Sequence, residues 1–165
     1  MSGYCEGRVA IITGAGGGLG RAYAQLLGAE GAAVVVNDIN PDTAQETADE
    51  INAAGGKAIA DTGDITDYAS SADIVRATIE QFGDLHVVVN NAGVCRDRMF
   101  TSLTEDDWDV VMAVHLKGHF CITSNAAKYW RGQSKSGESV DARIINTSSG
   151  AGLLGSVGQS NYSAA

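Results

Sequence analysis

Proline is nearly absent from this chain, which holds one, Pro41, beside 21 glycines in 165 residues. That ratio excludes a proline-stiffened linker, and because several glycines fall where short apolar runs end, they point to tight strand-to-helix turns. Basic residues are scarce too, 11 against 20 acidic ones for a net charge of −9. No Lys/Arg cluster is present to track a phosphate backbone, which argues against nucleic acid as a partner. No apolar run reaches the roughly 20 residues a membrane span needs. The opening "MSGYCEGRVA" also lacks the basic-then-apolar layout of a signal peptide. A cytoplasmic protein with no membrane partner is therefore expected. Cys5, Cys95 and Cys121 are odd in number and widely spaced, so neither a disulfide framework nor a metal site is expected, and the thiols read as buried or idle. What the chain does have is apolar residues, 44% of the total, enough to build the core of one globular domain.

Those apolar residues are grouped. "RVAIIT" (8–13), "AVVVN" (33–37), "KAIAD" (57–61), "LHVVVN" (85–90) and "RIINTS" (143–148) are short, β-branched and apolar nearly throughout, the pattern of strands buried on both faces. Segments of helical period lie between them. "LGRAYAQLLGAEG" sets Leu19, Tyr23, Leu26 and Leu27 on one side, and "PDTAQETADEINAAGG" opens on Pro41 and ends on two glycines. "SSADIVRATIEQFG" carries Ile74, Ile79 and Phe82 toward a core, and the segment from Thr104 to Trp130 opens with Thr104 and Asp107 in capping-box positions. "RGQSKSGESVDA" (131–142) is polar without an apolar period and reads as a surface loop. Strand and helix alternate from end to end, so the expected fold is α/β, a doubly wound, Rossmann-like parallel sheet wrapped by helices.

The first chemical signal is "TGAGGGLG" (13–20), directly after the first strand and opening the first helix. A pyrophosphate needs backbone N–H groups aimed from a helix N-terminus, with no side chains in the way. Gly14, Gly18 and Gly20 leave that approach open in a Gly-x-x-x-Gly-x-Gly spacing, and no Gly-Lys-Ser/Thr follows to make a nucleoside-triphosphatase loop. A glycine-rich loop alone is equally a plain tight turn. Asp38, 18 residues after Gly20 at the end of the second strand, adds to it: a carboxylate there accepts from ribose hydroxyls and repels a 2′-phosphate. Gly17, the residue before Gly18, supplies no cation for that phosphate either, so NAD is favoured over NADP as cofactor. Asp38 also suits a simple turn ahead of "INPD".

Two more segments follow strand ends, where open α/β sheets bind ligands. "GDITD" places Asp64 and Ile65 after the third strand, and "NNAG" places Asn90, Asn91, Ala92 and Gly93 after the fourth. Each is also ordinary turn chemistry. The last strand runs into Ser148 and Ser149, and Tyr162 lies 13 residues beyond Ser149 in "NYSAA".

The ordered set "TGAGGGLG", Asp38, "GDI", "NNAG", "NTSS" and "NYSAA" resembles the short-chain dehydrogenase/reductase family, across Gly7 to Ala165. Within it the chain is most similar to the (3R)-hydroxyacyl-CoA dehydrogenase domain of peroxisomal multifunctional enzymes and their bacterial relatives. The resemblance implies an NAD-dependent oxidoreductase that interconverts a secondary alcohol and a ketone, a 3-hydroxyacyl-CoA among its candidate substrates. Tyr162 would exchange the proton, and Ser149 would hydrogen-bond the substrate oxygen. Gly14, Gly18, Leu19, Gly20, Asp38, Asp64, Ile65, Asn91, Ala92, Gly93 and Tyr162 would bind the cofactor. A free tyrosine has a pKa of about 10 and needs a nearby cation to work as a base near neutrality. The family places that cation four residues on, at 166, so 1–165 is expected to be a single NAD-binding domain truncated before its C-terminal strands. Homo-oligomers are common in the family. The alternative is a catalytically inactive nucleotide-binding or interaction fragment. His115, where the family more often has asparagine, reads either as a proton shuttle or as a hydrogen-bonded core histidine. Arg96 and Arg98 of "RDR" read either as contacts to an anionic substrate or as a solvated loop.

Overall fold

The computed structural model of the chain describes residues 3–165. The five apolar runs form strands β1 (Val9–Thr13), β2 (Ala33–Asn37), β3 (Lys57–Asp61), β4 (Val87–Asn90) and β5 (Arg143–Asn146). All pair in parallel, in the order β3-β2-β1-β4-β5. β5 stops before Thr147 because the pairing ends there: Thr147 N–H donates to the Asn90 carbonyl (2.9 Å) and the chain then turns away.

Alternation along each strand feeds two cores. β1 sends Ile12 to one side, with Val34, Val36, Ala44, Ala48 and Ile51, and Ile11 to the other, with Val35, Ile74, Val88, Ile122 and Trp130. Each such large side chain, fully buried, contributes roughly 1.5–3 kcal/mol. Helices α1 (Gly18–Ala29) and α2 (Pro41–Ala53) cover the first side, and α3 (Tyr68–Phe82) and α5 (His119–Lys135) cover the second. Helices on both faces of a parallel sheet make the fold a doubly wound, Rossmann-like α/β structure, as the strand–helix alternation implies.

Local signals set the helix ends. The Asn40 side chain accepts from Asp42 N–H (3.0 Å) ahead of Pro41, while Asp67 accepts from Ser70 N–H (2.7 Å) and starts α3 at Tyr68, two residues earlier than the apolar period shows. The expected capping box forms at α4 (Glu105–Met112), where Thr104 and Asp107 satisfy each other's backbone N–H. Between α4 and α5 the chain makes a π-helical turn, Ala113–Gly118. Two short helices follow β5, α6 (Gly150–Leu154) and α7 (Ser160–Ala164).

Three expectations are corrected. The face of α1 against the sheet is Gly20, Ala24 and Gly28, while Leu19 and Leu26 are 62% and 58% exposed. Small residues let this helix lie close to its neighbours: a Cβ added at Gly28 would come within 2.7 Å of Ile51 Cγ2. Second, α5 continues through Lys135, so the surface loop shrinks to 136–142. Polar residues carry that last stretch of helix because Trp130, just before it, is anchored in the core and donates to the Leu85 carbonyl (2.7 Å). Third, the two edge strands are not buried on both faces: all four residues of β5 are exposed, and β3 fully buries only Ala58.

Candidate active site

The strand order reverses between β1 and β4, and open α/β sheets bind ligands at the carboxyl end of such a switch point. β1 delivers the glycine-rich loop there. Gly14 has φ +63°, and a Cβ on it would lie 2.8 Å from Ala92 Cα, so the loop and the "NNAG" segment approach as closely as backbones can. Gly17 caps α1 with no side-chain hydrogen bond, no acid stands in the first turn, and space is open around Gly17 and Gly18. The first N–H groups of α1 therefore face a bare cradle, which fits a pyrophosphate. Gly20 packs against the Gly14 carbonyl, and Leu19 forms part of the rim.

The other predicted cofactor residues converge on this cradle. Asp38, at the end of β2, accepts from Gly16 N–H and from Asn40 N–H (both 3.0 Å), which fixes its carboxylate across from the loop. Asp64 and Ile65 line the adjoining hollow with Asp38 and Gly93. Asp64 uses its carboxylate on its own turn, accepting from Thr66 N–H and Oγ1–H (both 2.8 Å), and Ile65 is a buried wall. Asn91 is a brace: its amide donates to the carbonyls of Thr13 (3.0 Å) and Gly14 (3.3 Å), and its own N–H goes to Thr13 Oγ1 (3.0 Å). Thr13 also receives the Ala92 N–H (3.0 Å), so one buried hydroxyl ties the end of β1 to the end of β4.

Tyr162 enters the same cleft from α7, beside Gly14, Asn91, Gly93, His115 and Thr147. Its ring meets the His115 imidazole edge-on, with centroids 5.0 Å apart. His115 projects from the π-helical turn, a feature that often marks functional sites. Its Nε2 lies 2.9 Å from Val94 N and 2.8 Å from Val94 O, so either neutral tautomer finds a partner on the loop after "NNAG". The hydrogen-bonded reading of His115 describes this geometry. Farther along the same helix, burial holds the His119 imidazole below the usual histidine range, and its Nε2 is buried without a partner.

Ser149 is half-buried beyond the end of β5 and caps α6, its Oγ accepting from Ala151 N–H (3.2 Å). That bond uses a lone pair and leaves the O–H free to donate. It does not stand among the residues lining the cleft around Tyr162; Thr147 does. The "RDR" segment is committed internally. Arg98 Nε pairs with Asp107 (2.7 Å), Asp97 accepts from Gln159 (3.0 Å) and Arg96 donates to the Cys95 carbonyl (2.9 Å). Residues that sequence reasoning missed are Thr13, whose role rests on a single hydroxyl among apolar neighbours, and Asn161, whose partners lie far away in the chain.

A parallel sheet of this order, with a bare glycine cradle at its switch point and an acid at the end of the second strand, defines a dinucleotide-binding protein of the oxidoreductase kind. The chain belongs to the short chain dehydrogenase family, whose model matches residues 8–165. It is 52% identical to the hydroxyacyl-CoA dehydrogenase ChsB1 of Mycobacterium tuberculosis, covering 97% of this chain and 52% of that protein. It is 41% identical to the peroxisomal multifunctional enzyme type 2 of Mus musculus, over 97% of this chain and 22% of that protein. A crystal structure of a short chain dehydrogenase from Mycobacterium avium superposes with a TM-score of 0.96 at 56% identity, over 98% of this chain and 60% of that one. The chain thus spans about half the length of ChsB1 and a smaller share of the multifunctional enzyme. The family uses NAD(P), and membership favours an oxidoreductase over an inactive nucleotide-binding fragment.

Proposed function

We propose that this chain is the cofactor-binding part of an NAD-dependent dehydrogenase that interconverts a secondary alcohol and a ketone, with a 3-hydroxyacyl-CoA as substrate. The observation that carries the reading is the single cleft in which Tyr162 stands beside the glycine loop and the Asn91–Gly93 segment. The names of ChsB1 and the multifunctional enzymes support the substrate class. NAD is supported by Asp38, whose carboxylate faces the loop at the ribose end and would repel a 2′-phosphate. Residues 1–165 are proposed as one NAD-binding domain lacking its C-terminal strands, and free Cys5, Cys95 and Cys121 support a reducing, cytoplasmic setting. A homo-oligomer remains the proposal for the complete protein.

When bound, the nicotinamide supplies the hydride chemistry. The chain's residues do the rest: the first turn of α1 holds the pyrophosphate, and Asp38 accepts from the adenosine ribose. Tyr162 exchanges a proton with the substrate oxygen, and Ser149, beyond the end of β5 with its O–H free to donate, is proposed as the hydrogen-bond donor to that oxygen, although Thr147 is the residue of this segment that lines the cleft. General acid–base help of this kind contributes about 10²–10⁴-fold. The test is turnover of a 3-hydroxyacyl-CoA by the full-length protein, with NAD and with NADP, alongside NADH binding by fluorescence. Tyr162→Phe is expected to lower turnover by at least about 100-fold while NADH still binds, and NAD is expected to outperform NADP. Full turnover by Tyr162→Phe would remove Tyr162 from the chemistry; binding without any turnover in the parent protein would leave a nucleotide-binding module.

A further inference from the structure

Tyr162 lies in the first turn of α7. α7 has five residues, Ser160–Ala164, and its N-cap, Gln159, makes no capping hydrogen bond. Without a cap, the first N–H groups of α7 need partners from outside the helix. Where the Tyr162 ring stands therefore depends on what holds this first turn.

The strongest tie is the neighbouring residue. Asn161 is completely buried, and its side chain uses both of its functions. Nδ2 donates to the carbonyls of Asp107 (3.1 Å) and Arg96 (3.3 Å), and Oδ1 accepts from the Tyr162 backbone N–H (2.8 Å). That N–H belongs to the first turn of α7, where no carbonyl of the helix can reach it. One amide thus satisfies the backbone of Tyr162 while fastening it to α4 on one side and to the 96–98 segment on the other. Both anchors are themselves fixed. Asp107 closes the capping box with Thr104 and pairs with Arg98 Nε (2.7 Å), and Arg98 N–H donates to the Gly158 carbonyl (2.8 Å) just ahead of α7.

We propose that Asn161 is a positioning residue that sets where the Tyr162 phenol stands, which rests on the reading that Tyr162 exchanges the proton. A buried amide with matched partners has no isostere that keeps all three bonds. Alanine leaves two carbonyls and one N–H unpaired, and serine can serve only some of them. A displacement of about 1 Å at a reacting group can cost on the order of 100-fold in rate.

The test is made on the full-length protein with Asn161→Ala and Asn161→Ser, reading kcat for alcohol oxidation, KM for NAD and NADH affinity. The expected order of kcat is parent, then Ser, then Ala, with Ala down by about 10- to 100-fold. NADH affinity and KM for NAD should change less than about twofold, because neither the glycine loop nor Asp38 touches Asn161. The proposal is overturned if Asn161→Ala keeps kcat within about twofold of the parent, or if both variants lose NADH binding along with kcat, which would make Asn161 a folding residue. Tyr162→Phe separates the two claims. If it is dead while Asn161→Ala is active, only the positioning role fails; if it is active, the reading of Tyr162 fails first.

Discussion

A half-buried histidine makes stability depend on pH. His119 sits where burial disfavours its charged form, so its folded pKa lies below that of the unfolded chain, near 6.5. Below that pH the unfolded chain binds more protons than the folded one, and stability therefore falls as pH drops through about 6.5. Asp107 is held below its usual range by the Thr104 hydroxyl and the Arg98 guanidinium, so its contribution persists until far more acidic conditions. The two effects occupy separate windows. Thermal unfolding followed from pH 7.5 to 5.5 should show a falling midpoint, and His119→Gln should flatten that slope. An equal slope in both proteins would place the titration elsewhere.

Among the elements, α4 depends most visibly on its start. Thr104 and Asp107 satisfy each other's backbone N–H groups, and Asp107 also receives Arg98. Thr104→Ala should cost about 1 kcal/mol, read by chemical denaturation, and because the Asp107 carbonyl also holds Asn161, turnover should fall more than NADH binding does. An unchanged denaturation midpoint would show that the box adds nothing beyond water. This helix start was legible because its signal lies within four residues. Strands β1 and β2 were equally legible, since burial on both faces leaves runs that are apolar nearly throughout. The packing face of α1 was not: leucines carry the visible period, whereas Gly20, Ala24 and Gly28 make the contact, and closeness is not written in hydrophobicity. The π-helical turn that aims His115 has no marker in "AVHLKG", because it depends on how α4 and α5 each seat against the sheet. Asn161 was unreadable for another reason. Its partners are backbone carbonyls 54 and 65 residues away, which any side chain at those positions would supply.

At the scale of the whole molecule, one flank differs from the rest. Tyr23, Leu26, Leu27, Val89 and Ile145 line an open groove beside β5, and Leu153, Leu154 and Val157 are each nearly 90% exposed. Residues 1–165 expressed as they stand should bind a hydrophobic dye and self-associate, and Leu26→Gln with Ile145→Thr should reduce both. Dye binding at the level of a well-packed globular control would show this flank to be covered. The strand order carries a further consequence for synthesis. β1, β2 and β3 lie within the first 61 residues and can pair as soon as they leave the ribosome, which brings the glycine loop and Asp38 together early. The other edge of β1 must wait for β4, which starts at Val87. At about 5–20 residues per second, that edge stands open for on the order of seconds, with its backbone groups available to any passing strand. The centre of the finished sheet is thus, for that interval, the nascent chain's most vulnerable edge.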